Sequence, residues 1–172
     1  VNGAPFLVTG PTALPVSLIE AKERLRLSED YDDGDVEAMI ASAVAFLDGY
    51  RGKLGRAIMP QVWAQEWEDG ETSLALALPD ASGIVVKADG VTVSDTLYSV
   101  KLTASGSVVV LDGVAGDVVR VEYTCGLPAD RLPVAKQAVL LMVGQYYVER
   151  DGGQADRRAI DWHIDALRLV RV

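Results

Sequence analysis

The sequence predicts an α+β fold: a mainly helical core of about four helices, with an antiparallel β region of small-sandwich or open-barrel kind inserted between helices 2 and 3. Three observations predict it. Apolar residues recur at spacings of three and four up to about residue 54 and again after residue 131, they alternate between residues 60 and 126, and Asp-Gly pairs punctuate the alternating part. At 172 residues the chain suits one domain carrying a sizeable insertion better than two independent domains. Hydrophobic residues at 49% and charged residues at 24% belong to a chain that folds.

Residues 1–16 read as an extended arm, broken by Pro5, Pro11 and Pro15 and showing no period. Ser17 and Glu20 in "SLIE" form a capping box that starts a short helix, with Leu18, Ala21 and Leu25 on its apolar face. The acidic stretch "SEDYDDGDVE" then leads into a second helix, from about Val36 to Leu54, whose stripe is Val36, Ile40, Ala43, Leu47, Tyr50 and Leu54. A second stripe of small residues, Ala38, Ala41, Ala45 and Gly49, permits close approach of another backbone. Packing within the monomer is the default for it and a subunit contact the alternative. Helices 1 and 2 thus occupy residues 17–55.

In "GRAIMPQVWAQEW" helix gives way to strand, because Pro60 lacks the amide that a helix needs and its ring clashes with the preceding turn. Arg51, Lys53 and Arg56 suit the negative end of the helix just left. Trp63, Gln65 and Trp67 share one strand face, and Leu74, Leu76 and Leu78 share another. Asp69-Gly70, Asp89-Gly90 and Asp112-Gly113 supply the positive backbone angles of tight hairpins, so five to seven short strands are expected over residues 60–126. Helices 3 and 4 fill residues 131–172. The third runs from near Pro133 to about Arg150 and is apolar around most of its circumference; the fourth runs from about Asp156 to Val170. Ile160, Ile164 and Leu167 make one apolar stripe of the last helix. Trp162, Ala166 and Leu169 make a second, which leaves one side to spare for another chain.

The net charge of −9 disfavours a protein that grips a nucleic-acid backbone. Cys125 has no second cysteine to pair with and fits a reducing compartment. The start has no basic leader and too many prolines for a secretory signal, and the absent initiator Met suggests trimming. The longest apolar run, Ala138 to Gly144, is far short of the roughly 20 residues of a membrane span.

No catalytic, metal or cofactor site is expected. His163, the single histidine, sits on the Ile160, Ile164 and Leu167 side of the last helix with no ligand partner at metal spacing. Cys125 has no base near it in sequence, so it reads as an inert thiol. The acidic stretch fails as a calcium loop: with Gly34 at the sixth position, Tyr31 falls at the third and Ile40 at the twelfth, so a solvated helix entrance is the expected role. Phosphate-loop, dinucleotide, nucleophile-elbow and zincin motifs are all missing. Trp63 and Trp67 allow one alternative, a carbohydrate- or protein-binding module built on the β insertion; a small hydrolase would need a cleft joining His163 to carboxylates.

Three stretches, taken in order, resemble the head-tail connector, or adaptor, family of tailed phages, which also occurs in prophages and gene transfer agents: "FLVTGPTALPVSLIEAKERLRL", "DDGDVEAMIASAVAFLDGYRGKLGRAIMPQVWAQEW" and "VRVEYTCGLPADRLPVAKQAVLLMVGQYYVERDG". The features carrying the resemblance are Glu20-Ala21-Lys22, the hand-over at Gly55, Arg56, Gln61 and Trp63, and the helix end at Tyr147, Glu149 and Arg150. The resemblance implies a single connector domain over residues 1–172 and a structural, non-enzymatic role in the virion neck, assembled in the bacterial cytoplasm. It implies a ring, dodecameric in that family though a monomer in isolation is compatible with it. The ring sits under the portal protein, holds the next neck, stopper or tail protein, and lets DNA pass without sequence-specific binding or any membrane contact. On this reading the spare side of the last helix meets the portal through Arg157, Arg158, Trp162, Ala166, Arg168, Leu169 and Arg171, and Ala38, Ala41, Ala45 and Gly49 are the subunit contact.

Overall fold

The computed structural model describes residues 3–28, 30, 32–68, 70–103, 106–150, 152–153 and 158–168. It is α+β, with four helices and antiparallel sheets between the second and third, as the periodicities predict. The chain divides into two compact units, one built from residues 3–12 and 59–126, the other from 13–58 and 127–168 as far as described.

In the helical unit, α1 (Leu18–Leu25) opens on the expected box: Ser17 Oγ accepts from the Glu20 amide at 3.2 Å and the Glu20 carboxylate accepts from the Ser17 amide at 2.9 Å. α2 spans Asp33–Leu47, α3 Leu132–Arg150 and α4 Arg158–Leu167. α2 therefore stops seven residues before the Leu54 that its stripe predicts. The reason is local: Asp48 is extended and Gly49 takes φ 81°, so the chain turns back, and the amides of Lys53 and Leu54 bond the carbonyls of Phe46 and Leu47. With its last carbonyls satisfied in this way, α2 has no basic side chain in its final turn. Arg56 acts elsewhere, its Nη1 donating to the Leu167 carbonyl at the end of α4 at 3.1 Å.

The acidic stretch is more than a solvated entrance. Lys22 of α1 pairs with Asp30 and Asp33 at 2.7 and 2.6 Å. Asp32, buried at the start of α2, accepts from the Tyr147 hydroxyl at 2.9 Å and from Arg150 at 3.1 Å, both on α3. Glu20 reaches Lys136 of α3 at 2.9 Å. The carboxylates thus tie the three helices together around a core of Val36, Ile40, Leu47, Ala138, Val139 and Val143.

In the β unit, one sheet has the order β1-β2-β8-β4-β5 (Phe6–Thr9, Gln61–Glu68, Val118–Cys125, Ser82–Ala88, Val91–Thr92) and a second the order β3-β7-β6 (Ser73–Ala75, Gly106–Leu111, Tyr98–Thr103). β2 begins immediately after Pro60, as expected. The cross-strand pairs Trp67↔Val119, Gln65↔Val121, Trp63↔Tyr123 and Gln61↔Cys125 set one face of the five-stranded sheet inward, against Leu74, Val109 and Leu111 of the other sheet. The outer face carries the ladder Glu66, Arg120, Glu122 and Lys87, with Arg120 to Glu122 at 2.8 Å and Lys87 to Glu122 at 3.0 Å. The arm is not merely extended, since its residues Phe6–Thr9 add a strand to β2.

Of the three Asp-Gly pairs only Asp89-Gly90, at φ 48° and 81°, closes a hairpin, β4 to β5. Gly70 and Gly113 take positive φ as expected, but there the chain crosses from one sheet to the other. Gly126 is required by packing instead. A Cβ on it would lie 2.9 Å from the Pro60 nitrogen, so the two chain segments that enter and leave the β unit can meet only at a glycine.

Candidate functional site

α4 is amphipathic by sequence, and the structure uses one of its two apolar stripes. Ile160, Ile164 and Leu167 are buried, while Trp162 is 71% exposed and Arg158, Ala166 and Arg168 also face outward. The helix is fixed by that buried stripe and by Arg56 at its C-terminal carbonyl, so the outer face is presented on a held element. Arg157, Leu169 and Arg171 lie outside the described residues. His163 is half-buried, its Nδ1 is 2.7 Å from the Ala159 carbonyl, and its ring meets Trp162 edge-on at 5.1 Å.

On α2, Ala38, Ala41 and Ala45 are exposed, so packing within the monomer, the default for that stripe, does not use them. Gly49 does not belong with them, since it lies beyond the end of the helix and is buried in the turn. From Ala38 to Leu47 the helix has no charged residue, and the one hydroxyl, Ser42, is spent on the Ala38 carbonyl at 2.8 Å. Two shallow grooves flank this face. One of about 430 Å³ runs between Asp35, Ala38, Met39 and Ser42 of α2 and Tyr146 and Arg150 of α3; the other, of about 230 Å³, lies between Phe46, Lys53, Tyr146 and, on α4, Ile160, Asp161 and Ile164. A helical face with neither charge nor long polar side chains is atypical of surface exposed to water.

The titratable groups that the structure brings together are bound to one another. Hydrogen bonds from the Ser17 amide and from Lys136 hold the Glu20 carboxyl down at about 2. Lys87 and Arg120 lower Glu122, and Asp32 raises the Tyr147 hydroxyl by accepting its proton in a hydrogen bond. Among the described residues, no three His, Cys, Asp or Glu side chains are grouped to hold a metal ion. Cys125 is buried. The exposed aromatic platform imagined for the β unit is not formed: Trp67 is 5% exposed and lies beneath Gly3, and Trp63, on the same inward face, donates its indole N–H to Gln61 at 3.1 Å.

Sequence reasoning singled out neither Asp32 nor Gln65. Gln65 is fully buried in the β unit and uses its whole amide: Nε2 donates to the carbonyls of Gly3 (2.6 Å) and Ala75 (3.3 Å), and Oε1 accepts from the Ala77 amide (2.8 Å) and the Tyr123 hydroxyl (2.7 Å). Its only signal in the sequence was a polar residue alternating in phase with two tryptophans.

No protein-family model matches the chain, and no curated protein matches it. Among solved structures, it is similar to a chain of the neck of an empty GTA (gene transfer agent) particle computed with C6 symmetry, with a TM-score of 0.69 and 20% identity over 98% of this chain and 97% of that one. At that identity the likeness is one of fold, and it extends over both units.

Proposed function

We propose that this chain is a structural component of the neck of a phage or phage-like particle: an adaptor that forms a ring under the portal vertex, joins the portal to the next neck or tail component, and surrounds the DNA channel. The observation that carries the reading is the end-to-end fold likeness to a chain of a particle neck, which covers 98% of this chain. The order of sequence features that resembles the connector family supports it independently.

The portal-facing surface in this reading is the outer side of α4, with Trp162 as the buried-on-docking anchor and Arg158 and Arg168, together with Arg157, Leu169 and Arg171 beyond the described residues, around it. The neutral face of α2 at Ala38, Ala41 and Ala45 is the subunit contact. Catalysis and cofactors have no part in it.

The test mixes purified protein with portal-bearing, DNA-filled particles from the same genome. Annular density at the vertex is the expected result. A deletion of residues 156–172 would remove the core residues Ile160, Ile164 and Leu167, so Trp162→Glu is the cleaner variant; it should change stability by no more than about 0.5 kcal/mol and abolish docking. Normal docking of a folded Trp162→Glu protein assigns the portal contact elsewhere, and a wild-type protein that adds nothing to the vertex removes the adaptor reading.

A further inference from the structure

α1 is held to the helical unit differently from the two helices it packs on. α2 buries Val36, Ile40 and Leu47, and α3 buries Ala138, Val139 and Val143, so that pair stands on apolar packing. Of the residues of α1 only Ala21 is fully buried. Leu18 and Leu25, the rest of its apolar stripe, are half-buried, and Ile19 is 70% exposed. One buried methyl and two half-covered leucines give α1 a small hydrophobic hold.

Charge supplies much of the remainder. Lys22, its side chain 15% exposed, lies 2.7 Å from Asp30 and 2.6 Å from Asp33 at the entrance of α2, and Glu20 lies 2.9 Å from Lys136 of α3. Each neighbouring helix is thus reached by an ion pair from α1. The tie between α2 and α3, made by Asp32 with Tyr147 and Arg150, bypasses α1. The far end of α1 works against docking, because its left-handed cap is Arg26, at φ 59° and ψ 39°. There the amides of Arg26 and Leu27 bond the carbonyls of Glu23 and Lys22, a closure that glycine makes freely and an L side chain makes under strain. A helix of two turns does not persist alone in water, so α1 unravels once it is undocked.

We propose that α1 is a charge-held latch: its ion pairs to α2 and α3 keep it docked, and when they are screened or competed for, the segment from Ser17 to Leu27 lets go as a unit while the α2–α3 pair stays folded. Segments of low local stability open in this way, as small cooperative pieces of a native protein. Release bares the sides of α2 and α3 on which α1 packs, so one folded chain has two helical surfaces to present. The device rests on the helical unit alone and stands whether or not the chain belongs to a neck.

Hydrogen exchange on the full chain, at low salt and at about 1 M NaCl, where the Debye length falls to about 3 Å, tests it. The amides of Ala21 and Leu27, bonded to the Ser17 and Lys22 carbonyls, should exchange about tenfold faster in high salt, while those of Ile40 and Val139, in the middle of α2 and α3, keep their protection. Equal exchange of α1 in both salts overturns the proposal, and so does a joint loss of protection in all three helices. Lys22→Met keeps the stem and removes the charge, so its α1 amides at low salt should exchange as the wild type's do at high salt. A folded Lys22→Met protein with the wild-type salt dependence overturns the latch. Loss of the whole fold in that variant, read by circular dichroism, does so too, because α1 would then be part of the core. Arg26→Gly relieves the cap and should slow exchange in α1 about fivefold; unchanged exchange would mean that α1 leaves without unravelling, against the proposal.

Discussion

Single residues in this chain matter according to how many buried groups they satisfy. Gln65 serves two carbonyls, one amide and one hydroxyl, which link the N-terminal segment, both sheets and β8. Gln65→Leu keeps the volume and strands all four, so it should cost about 3 kcal/mol; urea unfolding followed by circular dichroism measures it, and a loss within error of wild type would show that water replaces the amide. Glu20 is a second such residue, and its effect depends on pH. Its folded value of about 2 lies below the ordinary carboxyl value of 4.5, so its stabilisation is complete above 4.5 and is lost as pH falls from 4.5 towards 2. Thermal unfolding temperature should drop across that window in the wild type and less steeply in Glu20→Gln. Ser17 and Glu20 were legible because a capping box acts within three residues. Asp32 was not, because its partners Tyr147 and Arg150 lie 115 and 118 positions away and nothing in the local pattern points to them.

At the scale of elements, periodicity reported which face of each helix is buried and misjudged where one of them ends. The stripe through Leu47, Tyr50 and Leu54 continues α2 on paper, yet positive φ at Gly49 and the returning amides of Lys53 and Leu54 terminate it at Leu47. β1 was missed as a strand because four residues between prolines have no period to read. The two stripes of α4 were legible, since Ile160, Ile164 and Leu167 pack inward and Trp162 and Ala166 do not. What the pattern could not reveal is how so short a helix is held. Arg56 supplies part of the answer at the Leu167 carbonyl, which makes it a specific lever on α4. Arg56→Met should loosen the last turn at a cost of about 1–2 kcal/mol, as for a hydrogen bond to a charged donor. Hydrogen exchange checks this: the amide of Arg168, bonded to Ile164, should lose protection while amides in α2 keep theirs. Uniform loss in both helices would mean that Arg56 supports the whole unit and has no special relation to α4.

At the scale of the molecule, the distribution of charge bears on the proposed role around a DNA channel. The β unit, over residues 3–12 and 59–126 where described, has only Lys87, Lys101 and Arg120 as basic side chains, and two of these are bound to Glu122. Its loops β2–β3, β4–β5 and β7–β8 and the turn before β6 all lie at one end of the strands. Together with Glu68 at the end of β2 they carry Glu71, Asp89, Asp95, Asp112 and Asp117 without a single Lys or Arg. Phosphates approaching that end meet a group of carboxylates, so duplex DNA should slide past without the counterion release that drives adhesion. In a mobility-shift assay at low salt the wild-type protein should leave DNA unshifted. Replacing Glu68, Glu71, Asp112 and Asp117 by lysine should create binding whose log–log salt slope approaches about −3.6 for four phosphates neutralised. Under the proposed neck role, the same variant, whose four substitutions lie at exposed positions, should still join the particle while slowing release of the genome. DNA binding by the wild type at low salt would show that this acidic end does not repel, and the charge of the chain would then need another purpose.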